Sequence, residues 1–445
     1  MLLLYTYMIT KKTRKINKLK FIIVAFFLLL QCSIVGQTIS VSYQAALDMA
    51  DKSNPDIIAA KSVINETQYR KQQISANLLP QADASATYTR YGETPPSKKY
   101  LIGDSKNDIY SDITLKQVIY SGGRYKNQLL SVDKQMSIDQ EKLEQIRRNV
   151  RLSTARAWLE ALRSKYVIQL QVDLIKNMNT QLSIAQLLYS SGKVSELDIL
   201  RYQTQINSAQ GQLQTLQSNY STKLIALAQA IGTVDSLSIE DISLPELDEL
   251  EAWMMSESAL AELISDLPEI KSNYLKIDKS RIDQRIIRSD YYPTISAKFG
   301  MSVEDSSIFP GNLSWNAGLV ISVPLFRGGS TKAQLAQSNE RIFQAMQALE
   351  STAVSLTSRI RTALETVREK HDRIAIIQKT LSTAEQTISV AELRYTSGKL
   401  SAFELIDAQN MLAQTQKDLF NAQVDYRIAL EEIASMFYTF SDTKE

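Results

Sequence analysis

The chain has 445 residues, of which only 14 are glycine and 9 proline, so turns must be few and elements long. Its 50 basic and 48 acidic residues are well mixed, which gives no general argument for a nucleic-acid partner. A single cysteine excludes an intrachain disulfide framework.

Lys11, Lys12, Arg14, Lys15, Lys18 and Lys20 precede the apolar run Phe21 to Leu30, and Gln31-Cys32-Ser33-Ile34-Val35-Gly36-Gln37 follows. This is the pattern of a secretory signal peptide over residues 1–36, with Gln37 first in the mature chain. The apolar core is short of the roughly 20 residues that a spanning helix needs. A retained anchor is the bland alternative. Lipidation at Cys32 is disfavoured, because Gln31 stands where a small residue is expected. If Cys32 is removed, the exported chain holds no cysteine, and stability must come from packing and oligomerisation.

Residues 43–79 read as a helix interrupted at Pro55 and ended by Pro80. From Ala82 to Tyr91 the pattern alternates, which is a strand signature. A polar loop with Pro95, Pro96, Lys98 and Lys99 follows. Ile109, Ile113, Leu115 and Ile119 then mark a second strand up to Tyr120, and Ser121-Gly122-Gly123-Arg124 closes the hairpin. No proline or glycine occurs from Arg124 to Tyr189, so one helix roughly 100 Å long is expected. Leu129, Val132, Met136, Leu143, Ile146 and Val150 form a coiled-coil seam with Asp139 in its one polar slot. The turn Tyr189-Ser190-Ser191-Gly192-Lys193-Val194-Ser195 leads into a shorter helix that stops before Gly232.

Residues 232–256 form an acidic, less regular segment, after which the program restarts over 257–438 and leaves 439–445 as a tail. A helix to Tyr292, a strand from Thr294, a loop around Pro310-Gly311 and a strand from Leu313 to Leu325 repeat the plan of 37–231. Phe326-Arg327-Gly328-Gly329-Ser330 echoes the first exit, and Tyr395-Thr396-Ser397-Gly398-Lys399-Leu400-Ser401 echoes the first tip. The tip glycines and the double glycines share an offset of 206, while Pro55/Pro268 and Pro80/Pro293 share 213. A second hairpin loop shorter by seven residues accounts for the difference, and duplication is the inference.

On the strand Leu313 to Leu325, Leu313, Trp315, Ala317, Leu319, Ile321, Val323 and Leu325 share one face, and Ser314, Asn316, Gly318 and Ser322 the other, with Val320 the exception. A lipid face and a wet face in an exported chain without a spanning helix suit an outer-membrane barrel. The bland alternative is a sandwich edge packed on a core. Four strands cannot close a barrel, since the smallest have about 8, so the barrel must be shared between chains. Segments 43–79 and 195–231, end to end, nearly match the long helix, as a hollow helical cylinder requires.

The duplicated hairpins, the two Gly-Gly exits and the two Tyr-x-Ser-Gly-Lys-x-Ser tips together resemble the TolC family of outer-membrane efflux proteins, over essentially everything after the leader. The resemblance implies a mainly α fold with a small β part. It implies a homotrimer with a 12-helix tunnel on a shared 12-stranded barrel, four strands per chain, in the outer membrane of a Gram-negative bacterium with a long periplasmic extension. It further implies a passive exit duct for efflux or type I secretion. Its tip would dock to a periplasmic adaptor (membrane fusion) protein fed by an inner-membrane transporter of RND, ABC or MFS type. An exported coiled-coil scaffold without a pore is the alternative; it accounts for the helices but not for the amphipathic hairpins.

Glu404 and Asp407, at i and i+3, share one helix face. By resemblance they match the acidic positions that line the tunnel constriction, and Asp198 matches the equivalent position of the first repeat. Three copies would make a cation-attracting carboxylate ring. The other reading is that Glu404 and Asp198 only complete capping boxes behind Ser401 and Ser195. Leu400 stands where some members carry a basic residue that locks the closed tip, which leaves Lys399 or another residue for that role. Tyr189, Gly192, Lys193, Tyr395, Gly398 and Lys399 are the expected adaptor-contacting tip, or else helix C-caps with a tyrosine packed on the preceding turn. Trp315, Tyr110 and Tyr120 are read as interfacial belt residues or ordinary strand aromatics. His371, the only histidine, lies in a charged helical stretch and reads as a surface residue. No G-x-S-x-G, phosphate-binding loop, H-E-x-x-H or paired C-x-x-C occurs, so neither catalysis nor a cofactor or metal site is expected.

Overall fold

The computed structural model describes residues 39–240, 243–244, 263–305 and 312–437. The expected signal peptide with Cys32, most of the acidic segment, the loop at Pro310-Gly311 and the C-terminal tail lie outside the described residues.

Proline and capping chemistry divide the first helical run. Helix α1 (Tyr43–Ser53) starts at Ser42, whose side chain accepts the Ala45 N–H. Helix α2 (Pro55–Ala76) starts at Asn54, which accepts from Asp56 N, with Pro55 in the first turn where its missing N–H costs nothing. Helix α4 (Arg124–Ser190) and helix α7 (Ser330–Thr396) have 67 residues each, and α5 (Glu196–Ile231) and α8 (Ala402–Phe437) have 36 each. Helix α6 (Pro268–Arg288) precedes the second pair of strands.

The helices pack side by side as a wall. Helix α4 packs against α2 and α5 on one side and against α6 and α8 on the other, and α7 closes the row on α6 and α8. Two neighbours explain why burial along α4 exceeds a single seam: Val132, Asp139 and Val150 are buried, but so are Ser131 and Ile138. Asp139 accepts from Thr67 at 2.7 Å and from Gln135 at 2.9 Å, so the polar slot pins α2 to α4. Ser131 donates to Asp283 of α6 at 2.6 Å.

The largest core lies midway along the wall, where Trp158, Leu159 and Leu162 of α4 meet Ile57, Leu227 and Ile231. Trp158 donates to the Val41 carbonyl at 3.3 Å and meets Tyr43 edge-on at 5.3 Å. Strand β1 (Ile39–Val41) pairs in parallel with β4 (Leu237–Ile239), an unexpected clasp that gives regular structure to the start of the inter-repeat segment.

The remaining strands form one antiparallel sheet in the order β2 (Gln81–Arg90), β3 (Asn107–Ser121), β5 (Thr294–Asp305), β6 (Asn312–Ser322). A short helix, α3 (Lys99–Ile102), lies in the first hairpin loop. Strand β6 ends at Ser322 rather than at Leu325, because Pro324 has no N–H for the ladder. The register pairs Ala84, Ile113, Met301 and Trp315 across one face, and Leu115 with Phe299 and Ala317 beside them. Asp83, Thr114, Gly300 and Asn316 pair across the other face. The apolar residues thus form a band over all four strands, backed by a polar wall. Both faces are largely exposed within one chain, and β2 and β6 are free edges.

A bulge between Val118 and Tyr120 places Tyr120 opposite Ile295, on the apolar face with Trp315. Tyr110 departs from its expected place: it pairs with Thr87 and Glu304 and so belongs to the polar wall. At the first exit Gly122 has φ +62°, and a Cβ there would meet Tyr292 Cβ at 2.7 Å and the Ser289 carbonyl at 2.9 Å. Only glycine lets β3 turn into α4 so close to the end of α6.

Candidate functional site

The repeated plan of the two halves converges at the helical tip, far from the sheet. Gly192 and Gly398 take φ +74° and +71° and end α4 and α7. Lys193 N donates to the Leu188 carbonyl, and Lys399 N to the Arg394 carbonyl, each at 2.9 Å. Gly192 N and Gly398 N donate to the carbonyls of Tyr189 and Tyr395. These are Schellman-type closures, so glycine and lysine backbones act as C-caps whatever else their side chains do.

The acidic residues then separate by role. Ser401 donates to Glu404 through its N–H at 3.0 Å and its hydroxyl at 2.8 Å, and Glu404 N donates back to Ser401 Oγ at 3.4 Å. These bonds, with the Ser401 N–H first, hold the Glu404 carboxyl below the usual glutamate range. Ser195 N donates to Asp198 at 3.3 Å in the same way, and Arg201 approaches Asp198 at 3.8 Å. Asp407 is exposed and has no hydrogen bond or ion pair among the described residues. Capping therefore accounts for Glu404 and Asp198 but leaves Asp407 free. A groove of about 370 Å³ between α5 and α8 holds Asp407 and Arg201 beside Leu197, Leu200 and Phe403.

The two tip tyrosines have different surroundings. Tyr189 is 45% exposed, whereas Tyr395 is fully buried, which removes its ring from any docking face. Tyr395 packs edge-on to Tyr202 of α5 with centroids 6.3 Å apart, in a cluster with Ala185, Ala402, Leu405 and Ala408. Burial raises both phenols above their ordinary range, and at Tyr202 the neighbouring Tyr395 and the Asp198 carboxylate add to it. No motif in the sequence singles out Tyr202 or Arg201. The position equivalent to Tyr202 in the second repeat is Ala408, so comparison of the repeats conceals the tyrosine.

Elsewhere, Trp315 is 71% exposed on the apolar face and stacks with Phe299, and Tyr120 shares that face. His371 is exposed and sits 5.7 Å from the Tyr426 ring. Among the described residues no three metal-ligating side chains come together, and no helix is long and apolar enough to cross a membrane.

Comparison with known proteins bears on the same elements. The outer membrane efflux protein family matches residues 46–233 and 259–437. The outer membrane protein TolC of Escherichia coli K12 is 21% identical over 412 residues, covering 88% of this chain and 79% of that protein. The outer membrane efflux protein BepC of Brucella suis is 20% identical over 415 residues, covering 92% and 88%. The crystal structure of the Campylobacter jejuni CmeC outer membrane channel superposes with a TM-score of 0.74 at 18% identity, over 89% of this chain and 85% of that one, a likeness of fold. With its two matched stretches spanning both helical hairpins and both pairs of strands, the chain belongs to the outer membrane efflux protein family.

Proposed function

We propose that three copies of this chain close into an outer-membrane exit duct, fed by a periplasmic adaptor and an inner-membrane transporter and gated at the helical tip. One observation carries this reading: every open flank of the protomer lies on a matching side. Strand β2, which follows α2, and β6, which leads into α7, are the free edges of the sheet, so one rotation pairs β6 with β2 and brings α7 to α2. Phe343, Met346 and Val354 on α7 and Ile58, Val63 and Tyr69 on α2 are exposed apolar residues suited to burial in such an assembly. Closure gives a 12-stranded barrel whose apolar band meets lipid and whose polar wall meets water.

The tip supports a gate built on two devices. Asp407 faces the groove without a partner, so three copies would present unpaired carboxylates around a narrow opening. The Tyr202–Tyr395 contact joins α5 to α7, so parting the two helical hairpins would break it. The exposed Tyr189, Lys193 and Lys399 supply the adaptor-facing surface. Residues 1–36 act as a removed leader on this reading, and 37–231 and 257–438 as the two repeats.

The test is extraction and conductance. The full chain should require detergent for extraction from outer membranes, migrate as a heat-sensitive trimer and conduct in a planar bilayer. A soluble periplasmic protein, or folded trimers that never conduct, would favour the poreless scaffold instead.

A further inference from the structure

The loop of the first hairpin is tied down on the polar face of its own sheet. Lys98 binds Asp108 of β3 at 3.4 Å and also pairs with Glu304 of β5. Asp108 and Glu304 come from different repeats, and both occupy the even-numbered, polar-wall positions of their strands. The Asp108 side chain is 4% exposed, and Tyr91 donates to it at 3.2 Å. Within the loop, Thr94 donates to the Ser105 carbonyl at 2.8 Å, and Ile102 of α3 is buried beside β5. Nearly buried carboxylates at this wall need a cation, because an unpaired buried charge is costly. The loop brings one.

We infer that residues 91–106 form an inward-folded lid at the outer mouth of the barrel, held by Lys98 across both repeats, so that the duct narrows at its exterior end independently of its tip. The inference rests on the shared barrel, since the polar wall becomes a lumen only when three sheets close. A loop bound to that wall lies inside the opening, and three copies converge toward the axis. Lys98 lies on the loop and its two acids lie on rigid strands, so loss of one side chain frees the loop without disturbing the sheet.

The experiment places a spin label at Tyr100, an exposed loop residue, as Tyr100→Cys in a Cys32→Ser background of the full chain. Distances between copies in the detergent-solubilised trimer are then measured. The lid gives one narrow, short-range distribution. Lys98→Gln and Glu304→Gln shift it to longer and broader distances, and Lys98→Arg leaves it narrow. Conductance with the label omitted rises in Lys98→Gln and stays at the wild-type level in Lys98→Arg. An unchanged distribution in Lys98→Gln overturns the strap. A long, broad distribution in the parent also overturns it, and if mass measurement still gives a trimer, the shared barrel stands while the lid does not.

Discussion

Tyr395 lies edge-on to Tyr202, with ring centroids 6.3 Å apart and planes at 73°, and both rings are fully buried. One belongs to the last turn of the second long helix and the other to the second turn of α5, so the pair fastens the two helical hairpins where they reach the tip. Truncating either aromatic to alanine should cost about 3–5 kcal/mol of local packing. The effect should concentrate at the tip. Tyr202→Ala is expected to raise hydrogen exchange over 182–206 and 388–408 and to increase channel conductance, with exchange near Trp158 unchanged. Uniform destabilisation of the whole chain would deny the pair a local role.

The titration of this pair has a definite sign. The folded-state phenol pKa values are raised, so the unfolded or parted state releases protons first, and the stabilisation is complete below ~10 and lost as pH rises beyond it. Tip exchange rates should therefore climb at alkaline pH, and Tyr202→Phe/Tyr395→Phe should remove that climb. Persistence of the climb in the double variant would assign it to other groups.

On the acid side of neutrality it is Glu404 whose titration has a definite sign, and Asp407, one turn on, differs from it in lacking a capping bond. The Glu404 pKa is lowered by its bonds from Ser401, so its contribution is present above ~4.3 and is lost as pH falls through the depressed value. Glu404→Gln should fray the first turn of α8, read as faster exchange at residues 402–406, and Glu404→Ala should fray it more. Asp407→Asn should leave that exchange alone and instead relieve block of the channel by divalent cations. If Asp407→Asn changed capping and not cation block, the gate assignment would fail.

Asp290 should matter more than its position between elements suggests. It pairs with Arg124 from the first exit and with Arg327 at 3.3 Å from the second, tying both sheet-to-helix junctions to one partly buried carboxylate. Asp290→Asn removes the charge and should cost about 1.5–3 kcal/mol. The trimer should dissociate at lower temperature, whereas Asp290→Glu should recover part of the loss. Equal heat resistance of Asp290→Asn and wild type would show that solvent already carries these arginines.

The elements were legible because punctuation in this chain is sparse and strong. Pro55, Pro80, the double glycines and the tip glycines each stop or start an element, and the long helices follow from the absence of both residue types between them. Alternation located the strands, but not the bulge at Ile119, which moves Tyr120 to the apolar face. Counting along β3 already puts Tyr110 on the face opposite Ile109, Ile113 and Leu115, and its pairing with Glu304 of β5 agrees. At the tip, local pattern gave the caps and the acids. The Tyr202–Tyr395 contact was hidden because it joins residues 193 positions apart that are not equivalents in the repeats. The β1–β4 clasp was hidden because each strand has only three residues, too few for a period to be read.

The sheet offers the sharpest separation between a lipid-facing barrel and a soluble edge, because neighbouring residues of β6 should respond oppositely. Leu319 pairs with Ala297 on the apolar face, and Val320 pairs with Ser296 on the polar face. Both are exposed within one chain, at 67% and 49%, so a soluble sheet would accept arginine at either position with little difference. In a barrel, arginine on the lipid side costs about 2–4 kcal/mol near the bilayer midplane, while the water-filled side tolerates it. Leu319→Arg should therefore abolish heat-sensitive trimers in the outer membrane, and Val320→Arg should assemble normally and alter only ion selectivity. Equal assembly of the two variants would remove lipid from the apolar face, and with it the shared barrel.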